Sequence, residues 1–278
     1  MIIKLNLARN CLKYLVRIYG IKEIFVPYYS CDTVWKALRQ EGCRLHFYHI
    51  NKNFMPLCKF NKNDFILYIN YFGLRDENCK NLEKKYPNII IDNTQSFYSK
   101  PSGLASFNSL RKFFKVQNGA YLYTKISINT NFQTDNLKLE PVLFHEDYNK
   151  FVCNEKFLDN EPIKVISPNV EQEVLKIDFE KDKILRQKLF KKYAKIFDKY
   201  NLIKLPYNNN NVPYCYPFST NDSKILSKLS DFTVLRLWEE IPSDYPERDF
   251  LNNTIALPLN DEIYCEKICT ALSKIPKQ

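Results

Sequence analysis

The first 124 residues switch repeatedly between a helical and an extended pattern of apolar positions. Residues 8–19 (ARNCLKYLVRIY) put Leu12, Leu15, Val16 and Tyr19 on one helical face, and Gly20 stands where a helix stop belongs. A strand, IKEIFVP (21–27), follows, then a helix over 30–41 with Ser30 or Asp32 as cap and Gly42 as stop. RLHFYHI (44–50) reads as the next strand, and DFILYINYFG (64–73) as a strand ending in a turn at Gly73. DENCKNLEKKY (76–86) reads as a helix, NIIIDN (88–93) as a short buried strand, and AYLYT (120–124) as the strand of the segment 105–124. This alternation predicts an α/β domain with a largely parallel sheet, whose working groups collect at the carboxyl ends of strands. Three of those ends are polar: 28–32, 70–73 and 92–95.

Residues 125–168 show no clear period. Residues 170–200 read as one long helix carrying Leu185, Leu189, Tyr193 and Ile196. A smaller second unit follows, with a strand around VPYCYPF (212–218), a helix at 222–230, a segment TVLRLWEEIP (233–242) and a terminal helix over 261–273; the Asn run 208–211 is a loop.

Composition narrows the class. With 278 residues, 45% hydrophobic and 15% aromatic, the chain is long and apolar enough for a sizeable core. Its longest apolar runs, such as FILYI (65–69), are too short to cross a bilayer, and Lys4, Arg9 and Lys13 interrupt any signal-like core at the N-terminus. The expectation is a soluble, cytoplasmic protein with no membrane partner. Nine scattered cysteines without a CxxC fit reduced thiols, and three histidines make a zinc site improbable; His46 and His49 read as packing or surface residues. The net charge of +10 raises nucleic acid as a partner, but the lysines are spread along the chain among 31 acids. The expectation is no nucleic-acid partner, with an anionic-surface binder kept as a competing class.

The stretch SLRKFFKVQNGAYLYT (109–124) threads Arg111, Lys112 and Lys115 through two phenylalanines before Gly119, one of only five glycines. A lysine whose pKa is lowered by its surroundings or by cationic neighbours is a nucleophile toward aldehydes. If the aldehyde is pyridoxal phosphate, an aspartate is needed to keep the ring nitrogen protonated. Asp92 and Lys112 suit that pair by type. On spacing alone, the commoner reading is Asp92 as a turn or helix cap and Lys112 as a surface residue.

IIIDNTQS (89–96) resembles the segment of the DegT/DnrJ/StrS sugar aminotransferases in which a strand ends in Asp-x-x-Gln. FNSLRKFFKVQNGAYLY is similar to their Schiff-base lysine segment, which runs through a glycine pair into a strand. LNLARNCLKYLVRIYGIKEIFVPYYSCDTV (5–34), YINYFG (68–73), ILRQKLFKKYAKIF (184–197) and LNNTIALPLNDEIYCEKICTAL (251–272) parallel further family segments in order. The resemblance implies a pyridoxal-phosphate (PLP) transferase of fold type I. Its large cofactor domain would cover 1–168, and an interdomain helix with a small C-terminal α+β domain would cover 169–278.

The implied activity is amination of a keto-sugar, nucleotide-linked, with glutamate as donor, in surface-polysaccharide synthesis by a homodimer. Lys112 would be the Schiff-base lysine, Asp92 the partner of the pyridine nitrogen, and Gln95 a contact to the phenolic oxygen or ring face. Lys115 would be electrostatic only. The chain also departs from the family. The phosphate-holding Ser-Gly-Thr turn is Leu7-Ala8-Arg9, so Arg9 would substitute a guanidinium contact beside the helix N-terminus at Ala8. The stacking aromatic falls near Cys31, with Tyr28 or Tyr29 as substitutes. The serine before the lysine is Phe107, with Asn108 or Ser109 taking over, and the glycine pair is Gly119–Ala120 after Asn118. These departures leave a second expectation: a non-catalytic member of the fold with a binding or assembly role.

Overall fold

The structure is a computed structural model that describes residues 1–128, 131–238 and 241–273. Seven strands form one sheet: Ile2–Leu5 (β1), Glu23–Pro27 (β2), Arg44–Tyr48 (β3), Ile66–Ile69 (β4), Ile89–Asp92 (β5), Ala105–Phe107 (β6) and Ala120–Thr124 (β7). Their order is β1-β7-β6-β5-β4-β2-β3. β2 pairs in parallel with β3 and β4, and β5 with β4 and β6. β7 runs antiparallel to β6 and β1. The chain leaves β2 for β3 at one edge and returns on the other side of β2 as β4. That reversal opens a crevice beyond the carboxyl ends of β2, β4 and β5.

The interleaved helices are Ala8–Tyr19 (α1), Asp32–Gln40 (α2), Asp76–Glu83 (α3) and Leu110–Phe113 (α4). After β7 come Tyr148–Leu158 (α5), Pro168–Leu175 (α6) and Phe179–Phe197 (α7). A three-stranded antiparallel sheet, ordered β8-β10-β9, is built from Cys215–Phe218 (β8), Leu235–Arg236 (β9) and Ile255–Pro258 (β10). Ser223–Leu229 (α8), Arg248–Leu251 (α9) and Glu262–Ser273 (α10) complete the described elements. None of the described helices is long and apolar enough to cross a membrane.

Burial explains the parallel sheet. Along β4, Ile66 and Tyr68 pack on one side and Leu67 on the other; along β5, Ile89 and Ile91 oppose Ile90. Leu67 and Ile90 meet Leu12, Leu15 and Val16 of α1 and Leu38 of α2. The opposite face meets Leu189, Phe190 and Tyr193 of α7, the inner residues of β8 and β10, and Ile268 of α10. With both faces covered, the central strands carry continuous apolar runs instead of an alternation.

Several expectations need correction. β1 and β6 are strands the pattern did not single out. β1 is four residues long and draws its register from β7, more than a hundred residues away. The unreadable stretch 125–168 contains α5. The single helix expected over 170–200 is two: Ile177 N–H closes α6 on the Val174 carbonyl at 3.1 Å, and Asp178 caps α7 by accepting from Lys181 N–H at 3.0 Å. In the segment 233–242 only Leu235–Arg236 is a strand, and residues 239–240 lie outside the described residues.

Candidate active site

A cavity of about 320 Å³ lies over the carboxyl ends of the parallel strands and is closed from the far side by residues of β8 and β9. β5 delivers Asp92 to its wall. The Asp92 carboxylate is buried, and its Oδ1 accepts from the Thr94 N–H at 2.8 Å. Burial pushes the Asp92 pKa up, opposed by the charge of Lys112 and by Thr94. Lys112 comes from α4, and its Nζ donates to Thr94 Oγ1 at 3.1 Å. Burial lowers the Lys112 pKa, opposed first by Asp92. Thr94 thus touches both ionisable groups.

Lys112 is aimed by its neighbours. Leu110 and Phe113 on the same short helix are anchored in an apolar cluster with Val116, Ile166 and Val170. Gly119 is required there: a Cβ on it would stand 2.7 Å from Leu110 Cδ1 and 2.8 Å from Ile166 Cδ1, at a φ of +107°. The buried Arg186 of α7 donates to the Phe113 carbonyl at 2.7 Å, to the Tyr214 carbonyl at 3.1 Å, and through Nε to Asp182 Oδ2 at 2.7 Å. Its guanidinium lies 4.6 Å from the centre of the Phe113 ring. Arg186 thereby ties α7 to the end of the helix that carries Lys112.

Gln95 also lines the cavity, with its Oε1 accepting from Phe72 N–H at 2.8 Å. That bond holds the turn after β4, where Phe72 has a φ of +61°. Ala8 and Arg9 open α1 on the cavity wall. This helix has no side-chain cap and no acid in its first turn. Arg9 donates to Asp159 Oδ1 at 2.7 Å and reaches Glu155 Oε2 at 3.5 Å. Cys31 is on the wall, its sulfur accepting from Thr33 Oγ1 at 3.1 Å, and Ser109 is there as well.

Two expected site residues lie elsewhere. Tyr29 is buried behind the wall, edge-on to Trp238 at 4.4 Å, with its hydroxyl 3.4 Å from the Leu237 carbonyl. Asn108 accepts from Tyr121 N–H at 3.0 Å and so fastens β7 instead of facing the cavity. Lys115 is exposed and pairs with Glu146 at 2.9 Å. The sequence reading missed Thr94, His145, Glu155 and Trp238 on the wall. Thr94 carried a signal, a hydroxyl two residues past a strand-end aspartate. Glu155 and His145 fall in the stretch without periodicity, and Trp238 in a segment, 233–242, to which the pattern assigns no element.

No protein-family model matches the chain, and no curated protein matches it at a significant level. Solved structures do match in three dimensions. A DegT DnrJ EryC1 StrS aminotransferase from Brucella abortus superposes with a TM-score of 0.66 at 14% identity, over 98% of this chain and 85% of that one. DesV from S. venezuelae gives 0.69 at 12%, over 99% and 85%. NtdA from Bacillus subtilis, solved with bound cofactor PMP, gives 0.62 at 13%, over 98% and 72%. Over nearly its whole length, then, the chain has the fold of these aminotransferases, at identities that establish the fold and leave the chemistry to its own residues.

Proposed function

We propose that the chain is a pyridoxal-phosphate-dependent aminotransferase acting on a keto-sugar. The finer reading is a nucleotide-linked sugar, glutamate as donor, a role in surface-polysaccharide synthesis, and a cytoplasmic homodimer. Residues 1–168 would form the cofactor unit and 169–278 the interdomain helix and small unit. One observation carries the proposal: a buried carboxylate, Asp92, and a buried amine, Lys112, share one cavity and one hydrogen-bonding neighbour, Thr94.

The donor set suits the cofactor. Asp92 is buried, so its charge is best matched by another buried cation, which a protonated pyridine nitrogen would supply. Burial lowers the Lys112 pKa, the direction that favours the free amine that attacks an aldehyde. The uncapped N-terminus of α1, with Arg9 and Arg111 on the wall, offers donors for a phosphate. When bound, pyridoxal phosphate supplies a sink for the electron pair left when a C–H bond breaks. Lys112 takes that proton at Nζ and returns it, while Thr94 orients the amine through Oγ1. Arg186 keeps the helix beneath Lys112 in place.

The test is direct. Purified protein reconstituted with pyridoxal phosphate should absorb in the visible range, and borohydride reduction followed by peptide mapping should label Lys112. Label on Lys115 overturns the assignment of the lysine. Failure to form any coloured complex selects the second reading, a binding or assembly protein on the same fold. That reading is favoured by the Leu7-Ala8-Arg9 turn, which lacks a hydroxyl. Release of 2-oxoglutarate from glutamate in the presence of nucleotide-linked keto-sugars tests donor and acceptor together.

A further inference from the structure

α5 is an unusual helix for its position. Of its eleven residues only Leu158 is buried, while Tyr148 and Phe157 are 50% and 60% exposed. Apolar packing therefore contributes little to holding it against the rest of the molecule. Its inner side is held by charge. Glu155 receives both terminal nitrogens of Arg111, one of them at 2.9 Å, and also meets Arg9 at 3.5 Å. Asp159, just past the helix, takes the other arm of Arg9 at 2.7 Å. The two guanidinium side chains are only 10% and 17% exposed. Arg9, Arg111 and Glu155 all line the cavity, beside the uncapped N-terminus of α1.

Two shielded arginines converging on one carboxylate have the geometry that also receives a phosphate, because both anions accept paired N–H bonds from the planar fork. Two cations here face two carboxylates, so a dianion added beside Glu155 would meet like charge at close range. Exchange relieves this: the phosphate takes the guanidinium donors and the carboxylate leaves with its helix. A phosphate has more acceptor oxygens than a carboxylate and can engage the open N–H groups of α1 at the same time.

We propose that Arg9 and Arg111 form the binding pair for a phosphate monoester, that Glu155 occupies their place as an internal anion, and that the phosphate displaces Glu155 and lifts α5 off the cavity. This rests on the reading that the cavity takes a phosphorylated pyridine, and the arms of the test separate the two. Hydrogen exchange across 148–158 in the unmodified chain should rise on adding inorganic phosphate or pyridoxal 5′-phosphate, and should not change with pyridoxal. Unchanged or slower exchange with both phosphates overturns the displacement.

By calorimetry, Glu155→Gln should bind inorganic phosphate at least about tenfold more tightly than the unmodified chain, with Glu155→Asp, which keeps the charge, close to the unmodified value. Equal affinity in Glu155→Gln and the unmodified chain also overturns the proposal. If Glu155→Gln fails to fold, the exchange measurement on the unmodified chain decides alone. If inorganic phosphate behaves as expected but no coloured complex forms, the functional reading fails and the anion site stands. If a coloured complex forms with equal affinity in both proteins, the functional reading stands and the displacement fails.

Discussion

Replacing Arg186 with Met should be among the most damaging single changes in the molecule, and the loss can be worked out from its contacts. The side chain is 1% exposed and donates three hydrogen bonds, to Asp182, Phe113 and Tyr214. Methionine keeps the stem volume and much of the contact with the Phe113 ring, so the cavity cost is small. What remains is polar. Two carbonyls lose a buried donor, at about 1–3 kcal/mol each. Asp182 keeps the Tyr98 hydroxyl at 2.7 Å and is partly exposed, so its penalty is modest. The total is about 3–5 kcal/mol, within the range for removing one partner of a buried ion pair. Arg186→Lys restores a charge for Asp182 without the fork, so it should recover about half. Urea unfolding of the cofactor-free chain measures both. The pH dependence of Lys112 acylation, read by mass spectrometry, adds what stability alone would not show: in Arg186→Met the midpoint should move up toward that of an exposed lysine, because α4 is no longer fixed. A loss under about 1 kcal/mol with an unmoved midpoint would refute the claim that Arg186 ties α7 to α4.

Gly119→Ala combines a φ of +107° with contacts of 2.7 and 2.8 Å to Leu110 and Ile166, so urea unfolding should show a loss of about 2–5 kcal/mol. Asp92→Asn should lower turnover by the equivalent of about 3–4 kcal/mol; undiminished turnover would mean that Asp92 only caps the turn at Thr94. The folded-state pKa of Lys112 lies below its ordinary 10.5, so the unfolded chain binds more protons between the two values. Stability therefore rises with pH through that window and is lost as pH falls through the lowered pKa. The difference in unfolding free energy between the unmodified chain and Lys112→Met should show this rise, and a flat difference would mean that the amine is not buried.

The parts of the sequence that announced themselves were those whose neighbours are local. α1 ends at Gly20 and β7 spans 120–124 as the spacing indicated, because apolar period and glycine position suffice to fix them. Asp92, Gln95 and Lys112 sit at strand ends or just after them, where polar residues interrupting an apolar run are conspicuous. β1 stayed hidden because its partner is distant in sequence, and α5 because it buries one residue and so has almost no apolar period to read. Tyr29 and Asn108 are candidates through their place in the segments that resemble the family, near Cys31 and next to the position of the serine before the lysine. Which way each side chain turns was decided by Trp238 and Tyr121, whose proximity no local pattern reveals.

The apolar cluster on one face of the seven-stranded sheet does not stop at the sheet. It continues from Ile66, Tyr68, Ile89 and Ile91 through Leu189 and Tyr193 into Tyr216, Ile255, Leu257 and Ile268. A chain cut after residue 168 would present that face to water, a contiguous apolar surface with nothing to cover it, and would aggregate. Unfolding should accordingly be one cooperative event, with no intermediate in which the large sheet survives the loss of the small one. The same continuity makes rocking of one sheet against the other costly, because it would open a dry seam. Traffic into the cavity is thus left to the ionically fastened side, where α5 can give way while the sheets stay together.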